Sequence, residues 1–234
     1  MIWIKTITAA LSVAVISYLL GSLNFAIIVT RIMKGTDIRN YGSGNAGMTN
    51  VLRTVGAPAA ILTAIGDLGK GIISALVGEW IFFFAAKGLV ESGVIYAFLN
   101  GGMYVGIIFA LLGHLFPLYY GFKGGKGILV SGGAILIMDW RVFLSILALF
   151  VILFVITKIV SVGSIAASAG YPVFTCIYQC IDKAFTPTEI VVNTLLAVGV
   201  AAVVIVMHRE NIKRLINGTE NRFGKKKTDS AKKD

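Results

Sequence analysis

Apolar residues occur in seven blocks, roughly 3–33, 58–86, 94–118, 127–139, 141–157, 160–180 and 190–207, parted by polar stretches. A helix needs about 20 mainly apolar residues to cross a hydrocarbon core of about 30 Å. The fourth block falls short of that, and only Asp139, Trp140 and Arg141 part it from the fifth. Read as one straight helix, residues 127–157 would span about 46 Å. Two helices turning at Asp139–Arg141 fit a bilayer better, so the pattern predicts an all-α integral membrane protein with seven transmembrane helices. The first block is longer than the apolar core of about 7–15 residues in a cleaved signal peptide. It reads as a retained first helix.

Seven crossings put the termini on opposite sides and group the connections after helices 1, 3 and 5 with the C-terminal tail. That side collects Arg31, Lys34, Arg39, Arg53, Lys123, Lys126, Lys158 and nine tail residues, 16 cations in all; the other carries Lys5, Lys87, Arg141 and Lys183. Lys and Arg accumulate in cytoplasmic loops, which places the N-terminus outside and the C-terminus in the cytoplasm. Two units follow: a membrane domain over 1–208 that includes the motif loops, and a juxtamembrane segment with a basic tail over 209–234.

Composition agrees. Charged residues make up 14% of the chain, against about 25% in soluble domains, and 27 glycines suit close helix packing in lipid. The net charge of +10 does not imply a nucleic-acid partner. Nine of the 21 Lys and Arg fall between Arg209 and Lys233, directly after an apolar helix, where they orient the chain and meet anionic lipid. Cys176 and Cys180, four apart, share a helix face and read as packing residues.

Three polar motifs carry candidate chemistry. Asp37–Arg53, DIRNYGSGNAGMTNVLR, sets Ser43, Asn45 and Asn50 among glycines and closes on Arg53. Glycine lets backbone approach a ligand and turns N–H groups toward an anion, while arginine clamps phosphate through two parallel hydrogen bonds. Gly113–Gly127, GHLFPLYYGFKGGKG, contains Lys123-Gly124-Gly125-Lys126-Gly127, two ammonium groups beside a turn rich in amides. It lacks the spacing of a Walker A loop. His114 reads as an interfacial or packed histidine. His208–Asn221, HRENIKRLINGTEN, puts His208, Asn211 and Leu215 on one helical face, with Glu210 spaced to pair with Arg214 and Glu220 placed to brace the segment. Ser161 and Ser164 begin helix 6 from the same side. Asp67 and Lys70 pair within helix 2, as open to mutual neutralisation as to function. The three motifs share the cytoplasmic face, where cations, neutral donors and a histidine suit a phosphorylated substrate at the lipid surface.

Together with GSLNFA at Gly21–Ala26 and SVGSI at Ser161–Ile165, these motifs resemble the bacterial acyl-phosphate-dependent glycerol-3-phosphate acyltransferases, the PlsY family, over nearly the whole chain. Ala46 and Met48 depart from that pattern at positions without chemistry. The resemblance implies a seven-helix fold in the bacterial plasma membrane with a cytoplasmic active site. It implies acyl transfer from acyl phosphate to the sn-1 hydroxyl of glycerol 3-phosphate, giving lysophosphatidic acid and phosphate, the first step of phospholipid synthesis. An acyl-ACP:phosphate transferase would supply the donor, and neither a cofactor nor a metal is implied. Ser43, Arg53, Lys126, His208 and Asn211 take the catalytic positions. Asn45, Asn50, Lys123, Gly124, Gly125, Gly127 and Ser164 take substrate and phosphate contacts, and Glu220 a structural one.

The HxxxxD dyad of many acyltransferases is absent, because Lys213 and Tyr119 stand at the aspartate's spacing from the two histidines. Either His208 acts without a carboxylate partner, or a substrate phosphate takes the proton; the resemblance favours the second. A transporter for a phosphorylated solute is the rival reading. Transporter sites lie near the bilayer midplane, whereas these motifs cluster at one surface.

Overall fold

The computed structural model describes residues 2–87 and 95–224. These form ten α-helices: α1 (Ile2–Ser22), α2 (Phe25–Lys34), α3 (Met48–Thr54), α4 (Ala57–Ala86), α5 (Ile95–Leu115), α6 (Ile128–Met138), α7 (Trp140–Thr157), α8 (Val160–Ile181), α9 (Pro187–Met207) and α10 (Arg209–Ile216). Among the described residues there is no strand. The last five lysines of the basic tail lie outside them.

Among the described residues six stretches are long and apolar enough to cross a membrane: Trp3–Lys34, Ala57–Ala86, Ala97–Tyr120, Trp140–Thr157, Val160–Ile181 and Pro187–Met207. The first is interrupted. The Asn24 side chain accepts from the Ile27 amide at 3.2 Å and caps α2, the role for which asparagine is favoured, so the first block is two helices. The turn expected at Asp139 is present. Its carboxylate accepts from the Arg141 amide at 2.9 Å and starts α7. The fourth block is an 11-residue helix, about 16 Å long, so among the described residues six long apolar stretches and one short helix correspond to the seven blocks.

The contacts show how the short helix fits. One end of the bundle gathers the segments after α2, after α5 and after α9, because Arg39 donates to the Tyr120 and Lys123 carbonyls at 2.7 and 3.0 Å, and Lys126 donates to Asn211. The α7–α8 junction joins them, with the Phe223 amide donating to the Lys158 carbonyl at 2.7 Å. At the other end Arg141 reaches Asp182, which follows α8, at 3.4 Å. The chain therefore leaves the site end along α6 and returns along α7. It need not start at the surface: Gly124 and Gly125 donate to the Leu115 and His114 carbonyls at 3.1 and 3.2 Å, running into the bundle beside the end of α5 before α6 begins.

Glycine sets the close packing around this hairpin. A Cβ on Gly71 of α4 would strike the Val130 carbonyl of α6, and one on Gly133 of α6 would strike the Leu68 carbonyl of α4. α7, by contrast, turns most of its surface outward, with Ile152 and Ile156 exposed. Trp3, Trp80 and Trp140 are exposed in the half of the bundle away from the site, where amphipathic rings suit a membrane–water boundary. Cys176 and Cys180 are both free thiols. The segment after α10 packs back on the bundle: the Phe223 amide donates to the Lys158 carbonyl and its ring meets Phe154 edge-on at 5.7 Å.

Candidate active site

The first motif is a loop wound around two side chains. Asp37 accepts from Arg31 at 3.0 Å and from Arg39 at 2.9 Å, and these contacts, Arg39 foremost, hold its carboxyl at a pKa of about 2. Asn50, at 2% exposure, donates to the Ile38, Tyr41 and Asn45 carbonyls at 3.3, 3.0 and 3.1 Å and accepts from the Ser43 amide at 3.0 Å. Its amide is engaged by backbone on both sides, so Asn50 braces the loop. Ser43 is exposed and Asn45 half-buried on the loop so held. Arg53 stands exposed in the last turn of α3, without a carboxylate partner among the described residues.

The second motif differs from the expected cradle. The Gly124 and Gly125 amides face the end of α5, as above, and are not open to an anion. A Cβ on Gly125 would meet the His114 ring; glycine is needed here for that approach. Gly127, at φ +86°, turns the chain into α6, a conformation only glycine takes without strain. The two lysines part company. Lys123 lines an outer cleft of about 690 Å³ with Arg39, Asn40 and Gly44, while Lys126 points inward toward the third motif.

There the observations converge. His208 caps α9 at 3% exposure, with Nδ1 2.8 Å from the Val204 carbonyl. A carbonyl only accepts, so Nδ1 carries the proton and Nε2 presents its lone pair. Burial, and then the Lys126 charge, lower the His208 pKa against the pull of the Val204 carbonyl and Glu220, so the ring is neutral at pH 7. Asn211, one turn on, accepts from Lys126 through Oδ1 and donates to Glu220 Oε1 at 2.9 Å. Glu220 Oε2 takes Arg214 Nε at 2.7 Å. The i+4 pair expected between Glu210 and Arg214 does not form; Glu210 meets Lys213 and Arg209 instead. Helical spacing does not reveal the Arg214–Glu220 pair, because Glu220 lies beyond the end of α10.

Lys126 is the centre of this chain. Burial chiefly, then the Arg214 charge, lower its pKa to about 8; Glu220 opposes them and Arg53 adds to them. Arg53 of the first motif thus lies in the same field as the second and third. Ser164 stays apart: it is buried in α8, and no hydrogen bond among the described residues joins its hydroxyl to Lys126. One turn further along α8, Ala167 and Ser168 line an apolar cavity of about 50 Å³ with Ile128, Ile135 and Val204. Two of its lining residues lie close in the chain to the site: Val204, whose carbonyl holds His208, and Ile128, two residues after Lys126.

The glycerol-3-phosphate acyltransferase family model matches residues 11–218. The chain belongs to the glycerol-3-phosphate acyltransferase family. The glycerol-3-phosphate acyltransferase of Clostridioides difficile (strain 630) is 40% identical over 215 residues, covering 92% of this chain and 96% of the relative. That of Coxiella burnetii (strain RSA 493 / Nine Mile phase I) is 39% identical over 208 residues, covering 89% and 95%. The crystal structure of PlsY, an integral membrane glycerol 3-phosphate acyltransferase, superposes in its glycerol 3-phosphate form with a TM-score of 0.72 at 34% identity, covering 92% of this chain and 96% of that one. Its lysophosphatidic acid form gives 0.71 at 33%. Like PlsY, this acyltransferase is an integral, multi-pass membrane protein, and it serves lipid biosynthesis.

Proposed function

We propose that the chain transfers an acyl group from acyl phosphate to the sn-1 hydroxyl of glycerol 3-phosphate, releasing lysophosphatidic acid and inorganic phosphate. The observation that carries this reading is the convergence of Lys126, Arg53 and Arg214 beside a neutral His208 whose Nε2 is unengaged among the described residues. Three cations against one carboxylate leave a net positive charge there, suited to two phosphates held together. The substrate hydroxyl oxygen attacks the acyl carbon, the bond from that carbon to the phosphate oxygen breaks, and the hydroxyl proton passes to a substrate phosphate. A mixed anhydride expels a stabilised anion, so the work of the site is positioning and charge neutralisation. Lys126 and Arg53 take the phosphates, Ser43 and Asn45 add donors, and His208 and Asn211 orient glycerol 3-phosphate. The apolar cavity beside Ile128 and Val204 takes the start of the acyl chain.

The membrane arrangement belongs to the same reading: seven passes, with the short α6 counted as one, the N-terminus outside, and the site facing the cytoplasm of a bacterial plasma membrane. The shared end of the motif loops and the Arg141–Asp182 contact at the other end support it. An acyl-ACP:phosphate transferase would then act upstream. Purified protein given palmitoyl phosphate and glycerol 3-phosphate should form lysophosphatidic acid, and palmitoyl-CoA or palmitoyl-ACP should not replace the donor. Product from the thioesters alone overturns the reading.

The proton acceptor can be tested separately. His208→Ala is expected to raise KM for glycerol 3-phosphate about tenfold and to leave kcat within about threefold, the pattern of lost binding. A kcat reduced a hundredfold at saturating substrate would instead make His208 the base.

A further inference from the structure

Beneath the two motif loops lies a buried ionic cluster that the acyl-transfer chemistry does not use. Asp67 and Lys70, one turn apart on α4, are 2% and 3% exposed, with Nζ 2.9 Å from Oδ1. The same ammonium also donates to the Gly21 carbonyl at 3.0 Å and the Leu23 carbonyl at 2.7 Å, and lies 2.9 Å from His114 Nδ1. Gly21 and Leu23 flank the break between α1 and α2, where carbonyls have lost their helical partners. His114 leads on to the second motif, because its carbonyl accepts from Gly125, whose missing Cβ makes room for its ring. Leu23 leads to the first, because the next residue, Asn24, donates to the Ala46 carbonyl at 3.4 Å.

An apolar pair could fill this volume without loss of stability, since burying two charges costs about what their attraction returns. It could not hold two helix-end carbonyls and a ring nitrogen in one geometry. We infer that the Asp67–Lys70–His114 cluster fixes the loop bearing Lys126 against the first motif, making Lys70 and His114 positioning residues for acyl transfer. This rests on the reading of Lys126 as a phosphate contact.

The test compares full-length Asp67→Asn/Lys70→Met, which removes both charges together, with wild type and Lys126→Ala, using palmitoyl phosphate and glycerol 3-phosphate. The double variant should keep a cooperative thermal transition while kcat falls about 10- to 100-fold, the cost of a displacement near 1 Å. The midpoint near pH 8 in its kcat/KM profile should move upward as Lys126 leaves its place among Arg53, Arg214, Glu220 and His208. A cluster that only stabilised the fold would lower the thermal midpoint and leave both kcat and the pH midpoint unchanged, which overturns the proposal. Should the double variant not fold, Gly125→Ala, which presses on the His114 ring from the loop side, must show the same two changes or the proposal fails. Full activity in Lys126→Ala would remove the site reading and this proposal together; loss there with a normal double variant removes this proposal alone.

Discussion

Lys126→Met is expected to lower kcat/KM about a thousandfold at pH 7 while the thermal midpoint of the ligand-free protein holds or rises. The two effects have one origin. Burial and the neighbouring arginines bring this ammonium from 10.5 to about 8. Between those values the folded chain binds fewer protons than the unfolded one, so stability rises with pH across that window and is lowest below about 8. Keeping the charge at pH 7 costs the free protein about 3 kcal/mol. An anion in the site returns that energy as binding. Methionine fills the space without the charge, so the strain and the affinity disappear together. Inorganic phosphate or glycerol 3-phosphate should therefore raise the thermal midpoint of wild type at pH 7, raise it less above pH 9, and leave Lys126→Met unmoved. The wild-type kcat/KM should fall as pH rises past about 8. His208 cannot account for that limb, because its pKa lies below the ordinary histidine value of 6.5. A midpoint lowered by several degrees in Lys126→Met, or phosphate stabilisation that persists in it, would contradict this account.

What could be read from residues alone follows from where the deciding information sits. Hydrophobic runs carry their own length, so the spans were legible, as was the turn at Asp139, where a capping carboxylate interrupts apolar residues. The break at Asn24 was not. Nothing nearby in sequence says that this asparagine caps a new helix whose partners include Lys70 and Ala46. The cations of the site were legible because charge is costly in such a chain and must be placed where something uses it. The use of neutral groups was not: Asn50, Gly124 and Gly125 look like open donors in sequence, yet the fold commits all three to carbonyls. Asp67 and Lys70 show the same limit. Their spacing gave the pair, and only the packing of α1 and α5 against α4 brought in Gly21, Leu23 and His114.

Arg53→Ala is expected to reduce kcat/KM by about 10³, with Arg53→Lys recovering no more than about tenfold. Arg31 and Arg39 share Asp37, and Arg39 spends a further nitrogen on two loop carbonyls; both are part of the scaffold. Arg53 has no such commitment among the described residues, yet its charge reaches Lys126. An exposed cation whose charge bears on Lys126 beside Arg214 adds repulsion to the free protein, which an anion bound there would relieve. Lysine would restore the charge without the planar fork that grips two phosphate oxygens, hence the partial recovery. Because Arg53 supports nothing in the free protein, the thermal midpoint should change by no more than about 2 °C in either variant. Removing its charge relieves Lys126, so the midpoint of the kcat/KM profile should move above pH 8 in Arg53→Ala and stay in place in Arg53→Lys. An alanine variant with near-normal kcat/KM, or one that lost activity in proportion to lost stability, would make Arg53 a bystander and leave the phosphates to Lys126 and Arg214.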